Sequence, residues 1–140
     1  MERTVKVGRE ARAFRDERRS MLKISLDATL EEDVREFGIL YISVGNGGAR
    51  QKRNVDVQER EAMVFEKLRA ISAPDPAVDN VAWDALQPRV LVGGDLLLEV
   101  AERDLCLAYV IDSGWPAHLS GARRALQRRL ENAERVEKRP

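Results

Sequence analysis

Residues 39–54 read ILYISVGNGGARQKRN. The first six, Ile39–Val44, are β-branched and aromatic enough to predict a buried strand. The fold depends on whether they are one. If so, Gly45, Gly47 and Gly48 form the loop that closes the strand, and Arg50, Lys52 and Arg53 follow with no acid among them. Glycines in such a loop can turn successive N–H groups into a concave nest, and a strand-to-helix junction is where anions meet a helix N-terminus. Neither nucleotide fingerprint is complete, because the stretch lacks G-x-x-x-x-G-K-[ST] and GNGG does not extend to G-x-G-x-x-G. A helix starting near Asp56, with Asp56 as its cap, also competes with an anion for the same N–H groups. The expectation is an exposed basic loop over 45–53 that touches a protein, a nucleic acid or a phosphorylated ligand, against the plain alternative of a mobile turn.

Upstream, Leu22, Ile24 and Leu26 alternate with Lys23 and Ser25, the period of a strand with one wet face. Thr29 and Glu32 have the spacing of a capping box, and Leu30, Val34 and Phe37 form a helical stripe that Gly38 can end after about two turns. Nearer the N-terminus, Thr4–Val7 suggests a short strand. Val7, Ala11 and Phe14 suggest a charged helix over about 8–20.

Downstream, Val57, Val64, Phe65, Leu68 and Ile71 recur at helical spacing and predict an amphipathic helix over 57–71. Asp75 as cap and Pro76 at the first turn predict another, with Val78, Val81, Ala82, Ala85 and Leu86 on one face. Trp83 falls off that stripe and is a candidate for partner contact. Val90–Val92 and Leu105–Ile111 read as strands, and 95–103 as strand or helix. Leu119, Ala122, Leu126, Leu130 and Ala133 predict a last helix over about 117–136. The expected fold is α+β: a single domain over 1–140, with one small sheet of about four strands covered by amphipathic helices.

The totals restrict function. At 140 residues one core suffices, and 24 basic against 24 acidic side chains give no global field for nucleic acid or an anionic membrane. The arginines of residues 1–20 read as a solvated helical face laced with i,i+4 pairs. No stretch approaches the roughly 20 apolar residues of a membrane helix, and no apolar leader opens the chain. Cys106 stands alone in an apolar run, which points to an inert buried thiol and a reducing, cytoplasmic setting.

With one histidine, His118, and one cysteine, a His/Cys zinc site lacks ligands and a nucleophilic triad has no G-x-S-x-G elbow. Asp95, Glu99, Glu102, Asp104 and Asp112 are close in sequence and could offer oxygen ligands for Mg²⁺, but with 24 acids in the chain such clusters arise by chance and they read as solvated turns. No catalytic residue, metal site or cofactor is assigned. The functional expectation is a non-catalytic binding or adaptor protein of regulatory, immunity or virus-encoded accessory type. It would act through a protein partner, with a homodimer as an option for its assembly, and with Gly45, Gly47, Gly48, Arg50, Lys52, Arg53 and Trp83 as contacts. The alternatives are a nucleic-acid-binding module using the basic loop and the Arg-rich terminal helices, and a small carboxylate–metal enzyme.

Overall fold

The computed structural model describes residues 20–47, 54–79, 81–82 and 85–137. The strand expected at Thr4–Val7 and the helix expected over about 8–20 lie outside the described residues, apart from Ser20, which opens the first strand.

Strand β1, Ser20–Leu26, keeps the alternation of its sequence: Leu22, Ile24 and Leu26 are buried. It is the centre of a three-stranded antiparallel sheet, flanked by β4, Gly94–Leu98, and β5, Glu134–Glu137. The register sets Leu22 against Leu98 and Ile24 against Leu96, so leucines from two strands share the inner face. On the outer face Lys23 opposes Leu97, and Met21 opposes Val136.

The strand expected at Ile39–Val44 is a helix. Helix α1 runs from Glu31 to Gly47 and passes through Gly38 without a break. The run ILYISV carries two periods at once, and the helical one wins because of what it buries. Phe37, Leu40, Tyr41 and Val44 are 1–4% exposed and share one side, whereas Ile42 between them is 41% exposed. Strand propensity spans about 1 kcal/mol, while each large apolar side chain removed from water contributes about 1.5–3 kcal/mol. Of the stripe expected upstream, Phe37 is buried, but Leu30 and Val34 are exposed and Asp33 and Glu36 take the inner face, a rotation of about one residue around the helix. The helix start also differs from a Thr29–Glu32 capping box: Asp27 Oδ1 accepts from both the backbone N–H and the hydroxyl of Thr29, at 2.8 and 2.7 Å. Glu31, Glu32 and Asp33 then place negative charge in the first turn, where the helix dipole favours it.

Helix α2, Val55–Ala70, forms as its spacing predicts but is capped by Asn54 and not by Asp56; Asn54 Oδ1 accepts from the Val57 N–H at 2.9 Å. A second antiparallel sheet pairs β2, Ser72–Pro74, with β3, Arg89–Leu91. The helix expected after Asp75 is absent among the described residues. Asp75 instead closes a turn, its Oδ1 accepting from the Ala77 N–H at 2.9 Å. Gly93 and Gly94, with φ of 112° and 142°, turn the chain from β3 into β4.

The ambiguous stretch 95–103 is strand to Leu98 and helix from Val100, where α3 runs to Asp112. The strand expected over Leu105–Ile111 is thus helical. Glu102, Cys106 and Val110, four residues apart, form its buried side. A 3₁₀ turn, Ala117–Leu119, leads into α4, Ser120–Glu131. The last helix stops five residues short of the expected end, because the chain turns at Asn132 and Glu134–Glu137 returns to pair with β1. The α+β class holds, but the strands make two small sheets in place of one.

A helical, unobstructed Gly38 has a measurable consequence. A Cβ built there meets nothing within 4 Å, so Gly38→Ala adds helix propensity without a clash. Urea denaturation is expected to show a gain of about 0.5–1 kcal/mol. A loss would mean that Gly38 ends a helix in the left-handed conformation.

Candidate functional site

Two of the glycines expected in the basic loop, Gly45 and Gly47, belong to α1. Gly45 lies inside the last turns of α1, where an added Cβ would sit 2.7–2.8 Å from the Leu86 methyl carbons. Its lack of a side chain therefore serves close packing of Leu86. Gly47 is the last residue of α1, so this loop joins a helix C-terminus, whose dipole repels anions, to the N-terminus of α2, already occupied by Asn54. Gly48, Arg50, Lys52, Arg53 and Trp83 lie outside the described residues.

The groups with ordinary catalytic chemistry are spent elsewhere. Cys106 is fully buried, and burial foremost, with the Glu102 carboxylate second, pushes its thiol up to about 12. His118 sits exposed in the 3₁₀ turn. Of the acids between 95 and 112, Glu102 is buried and accepts from Lys67 Nζ and from the Glu99 N–H. Asp104 pairs with Arg103 at 2.8 Å, and Asp95 accepts from Ser25 Oγ at 2.7 Å. Among the described residues no three His, Cys, Asp or Glu side chains gather to hold a metal ion. No described helix is long and apolar enough to cross a membrane.

Two features were missed from sequence. The first is a buried ionic cluster between α1 and α4. Asp33 and Glu36, 3% and 4% exposed, face Arg129: its Nη2 donates to Asp33 Oδ1 at 2.8 Å, and its Nε lies 3.5 Å from Glu36 Oε1. Asp33 Oδ2 also accepts from the Asp27 N–H at 2.8 Å, so one carboxylate ties the end of β1 to α4. Burial foremost raises the Glu36 pKa; the guanidinium of Arg129 opposes this, and the nearby Asp33 and Glu32 reinforce it. Glu36 Oε1 and Arg129 Nη1 are buried with no hydrogen-bond partner. The signal was two acids three apart on the stripe that also carries Phe37 and Leu40, a placement a solvated acid would avoid.

The second is a groove of about 870 Å³ beside the outer face of the three-stranded sheet. Met21, Leu97 and Val136 supply apolar lining from the sheet, and Met63 and Ala70 supply it from α2. Leu97 and Met63 are 41% and 50% exposed. Lys23, Lys67, Asp95, Glu99 and Glu137 complete the lining, with Lys23 paired to Asp95 at 3.8 Å and Lys67 to Glu102. Period-two alternation in β1 identified this face as the wet one; the apolar residues on it come from strands placed beside it by the fold.

Comparison with protein-family models, curated proteins and solved structures finds no match to the chain.

Two outcomes follow from these environments. A thiol-specific reagent at pH 8 should leave native Cys106 unlabelled and modify one thiol per chain once denaturant is added; fast native labelling would contradict its burial. For Glu36, a folded pKa above the ordinary carboxylate value means that folding disfavours its ionised form. Stability conferred by the protonated state is present at low pH and is lost as pH rises from the unfolded value near 4.5 through the raised folded value. Glu36→Gln removes that loss, so its melting temperature relative to the parent should climb between pH 4.5 and 7. A difference flat with pH would mean that Glu36 titrates normally.

Proposed function

We propose that the chain is a small non-catalytic binding protein of the adaptor or regulatory kind, acting through protein–protein contact at the groove beside the outer sheet face. The observation that supports this is an apolar lining left open on a face whose strand alternates toward water. Two of the three methionines in the sequence line it. Unbranched thioethers adapt to varied surfaces and are over-used where a protein binds apolar segments.

The occupant we assign is a segment of a partner polypeptide that carries apolar side chains flanked by basic ones. Three acids line the groove against two lysines, and both lysines already face carboxylates within this chain. An apolar anchor provides affinity here, while the acidic excess selects the flanking charge and disfavours a polynucleotide. A cytoplasmic setting suits the buried free thiol.

Leu97→Asp and Met63→Asp, at exposed positions, should leave the melting temperature within a few degrees of the parent. In a pull-down from the source cells followed by mass spectrometry, they should release the partner that the parent retains, with or without nuclease. Partners lost on nuclease treatment would favour nucleic-acid binding through Arg50, Lys52 and Arg53 and would overturn the groove. So would self-association, abolished by the same variants in sedimentation velocity, because a second copy would then be the occupant.

A further inference from the structure

The groove beside the outer sheet face opens at the end of the sheet where β1 begins. Ser20, the first residue of β1, opposes Glu137, and Met21 opposes Val136; both partners line the groove. On the other flank Leu22 opposes Leu98, so Glu99, the next residue and also a lining one, sits at the same end. The chain that precedes Ser20 therefore joins the fold between two acidic residues of the groove. Leu97 of β4 and Met63 of α2, both exposed, supply apolar surface in the same groove.

Residues 1–19, MERTVKVGREARAFRDERR, lead into that junction. They carry seven basic side chains against four acidic ones, which leaves seventeen against twenty in the remainder. The neutral total thus divides into a stretch of +3 and a body of −3. Val5, Val7 and Phe14 each have basic residues within two positions on both sides. Apolar anchors flanked by positive charge are the chemistry assigned above to the occupant of the groove. Phe14 is six positions from Ser20, a reach of up to about 20 Å. A ligand tethered so closely acts at an effective concentration on the order of millimolar, so modest intrinsic affinity suffices to keep it bound.

We propose that residues 1–19 are an intramolecular occupant of the groove, and that a partner segment binds by displacing them. Phe14 is the apolar anchor for Leu97 and Met63, and Arg15, Arg18 and Arg19 are the charges that answer Glu99 and Glu137. The inference rests on the reading of the groove as a surface that binds a polypeptide. Its consequence is regulatory: the affinity of the partner is reduced by the fraction of chains whose groove is already filled.

The test uses the full chain labelled with carbon-13 at the methionine methyls, because Met21 and Met63 both line the groove. Phe14→Asp removes the aromatic ring and should move both methyl signals. Arg15→Glu with Arg18→Glu should move them too, and carries the test if Phe14→Asp fails to fold. A fluorescein-labelled peptide of residues 1–19, added in trans, should bind the Phe14→Asp chain at least about tenfold more tightly than the parent, whose own copy competes. Leu97→Asp added to that chain should abolish the binding. Methyl signals that ignore both variants would overturn the proposal, as would equal binding of the peptide to parent and Phe14→Asp. If the methyls stay fixed while a captured partner still depends on Leu97, the intramolecular occupant alone falls. If the methyls move and the peptide binds but no partner is captured, the occupant stands and the partner reading falls.

Discussion

The burial of one side of α1 is the constraint on which the other elements depend. This helix packs against α2, α3 and α4, and also against β1 and β3. Phe37, Leu40, Tyr41 and Val44 project from it into a common core that reaches Leu96 and Leu98 of the sheet and Val110 of α3. Phe37 stacks on Tyr41 with ring centroids 5.8 Å apart, and Tyr41 meets Phe65 of α2 at 5.1 Å, so aromatic contacts run from one helix to the next. The Tyr41 hydroxyl donates to the Gln87 carbonyl, and burial foremost keeps that phenol above its ordinary pKa. Through this bond and the close approach of Leu86 to Gly45, the chain leading into β3 is fastened to α1.

Apolar burial sets proximity but not register, and here the polar pairs supply register. Arg129 reaches Asp33 and Glu36 only if α4 lies at one height along α1, and Asp33 reaches Asp27 only if α1 follows β1 at a fixed angle. Lys67 and Glu102 fix α2 to α3 in the same way, with Glu102 also completing the capping box that starts α3. Buried ion pairs give little net stability, because desolvation cancels most of the Coulomb attraction. Their effect is to make every other packing arrangement leave a charge stranded in an apolar interior.

How much of this the sequence discloses follows from whether a segment carries one period or two. Leu22–Leu26 and 57–71 each have a single period, and both elements form where it places them. Ile39–Val44 and Leu105–Ile111 satisfy a strand and a helix equally, and local propensity chose the strand in both. The outcome was decided by partners far away in sequence: Leu126 and Leu130 on α4, for example, belong to the same core as these helices. β5 was illegible for the opposite reason, since ERVE has almost no apolar content and becomes a strand only because β1 presents an unpaired edge. The basic loop drew attention through composition alone. The groove and the ionic cluster need residues brought together across some 70 to 115 positions of chain, which no local pattern contains.

A carboxylate with a raised pKa beside a second carboxylate also describes a general acid, so the choice between catalysis and recognition turns on geometry. Buried ion-pair networks perturb carboxylates as strongly as active sites do, and Arg129 spans both acids here as it would in a purely structural clamp. A general acid must come within hydrogen-bond reach of a substrate atom that changes charge during the reaction. Glu36 Oε1 has almost no exposed surface and lies 3.5 Å from Arg129 Nε, which is the arrangement of such a clamp. A carboxylate so enclosed holds α1 and α4 in register and is kept from the reach of a substrate atom arriving from solvent.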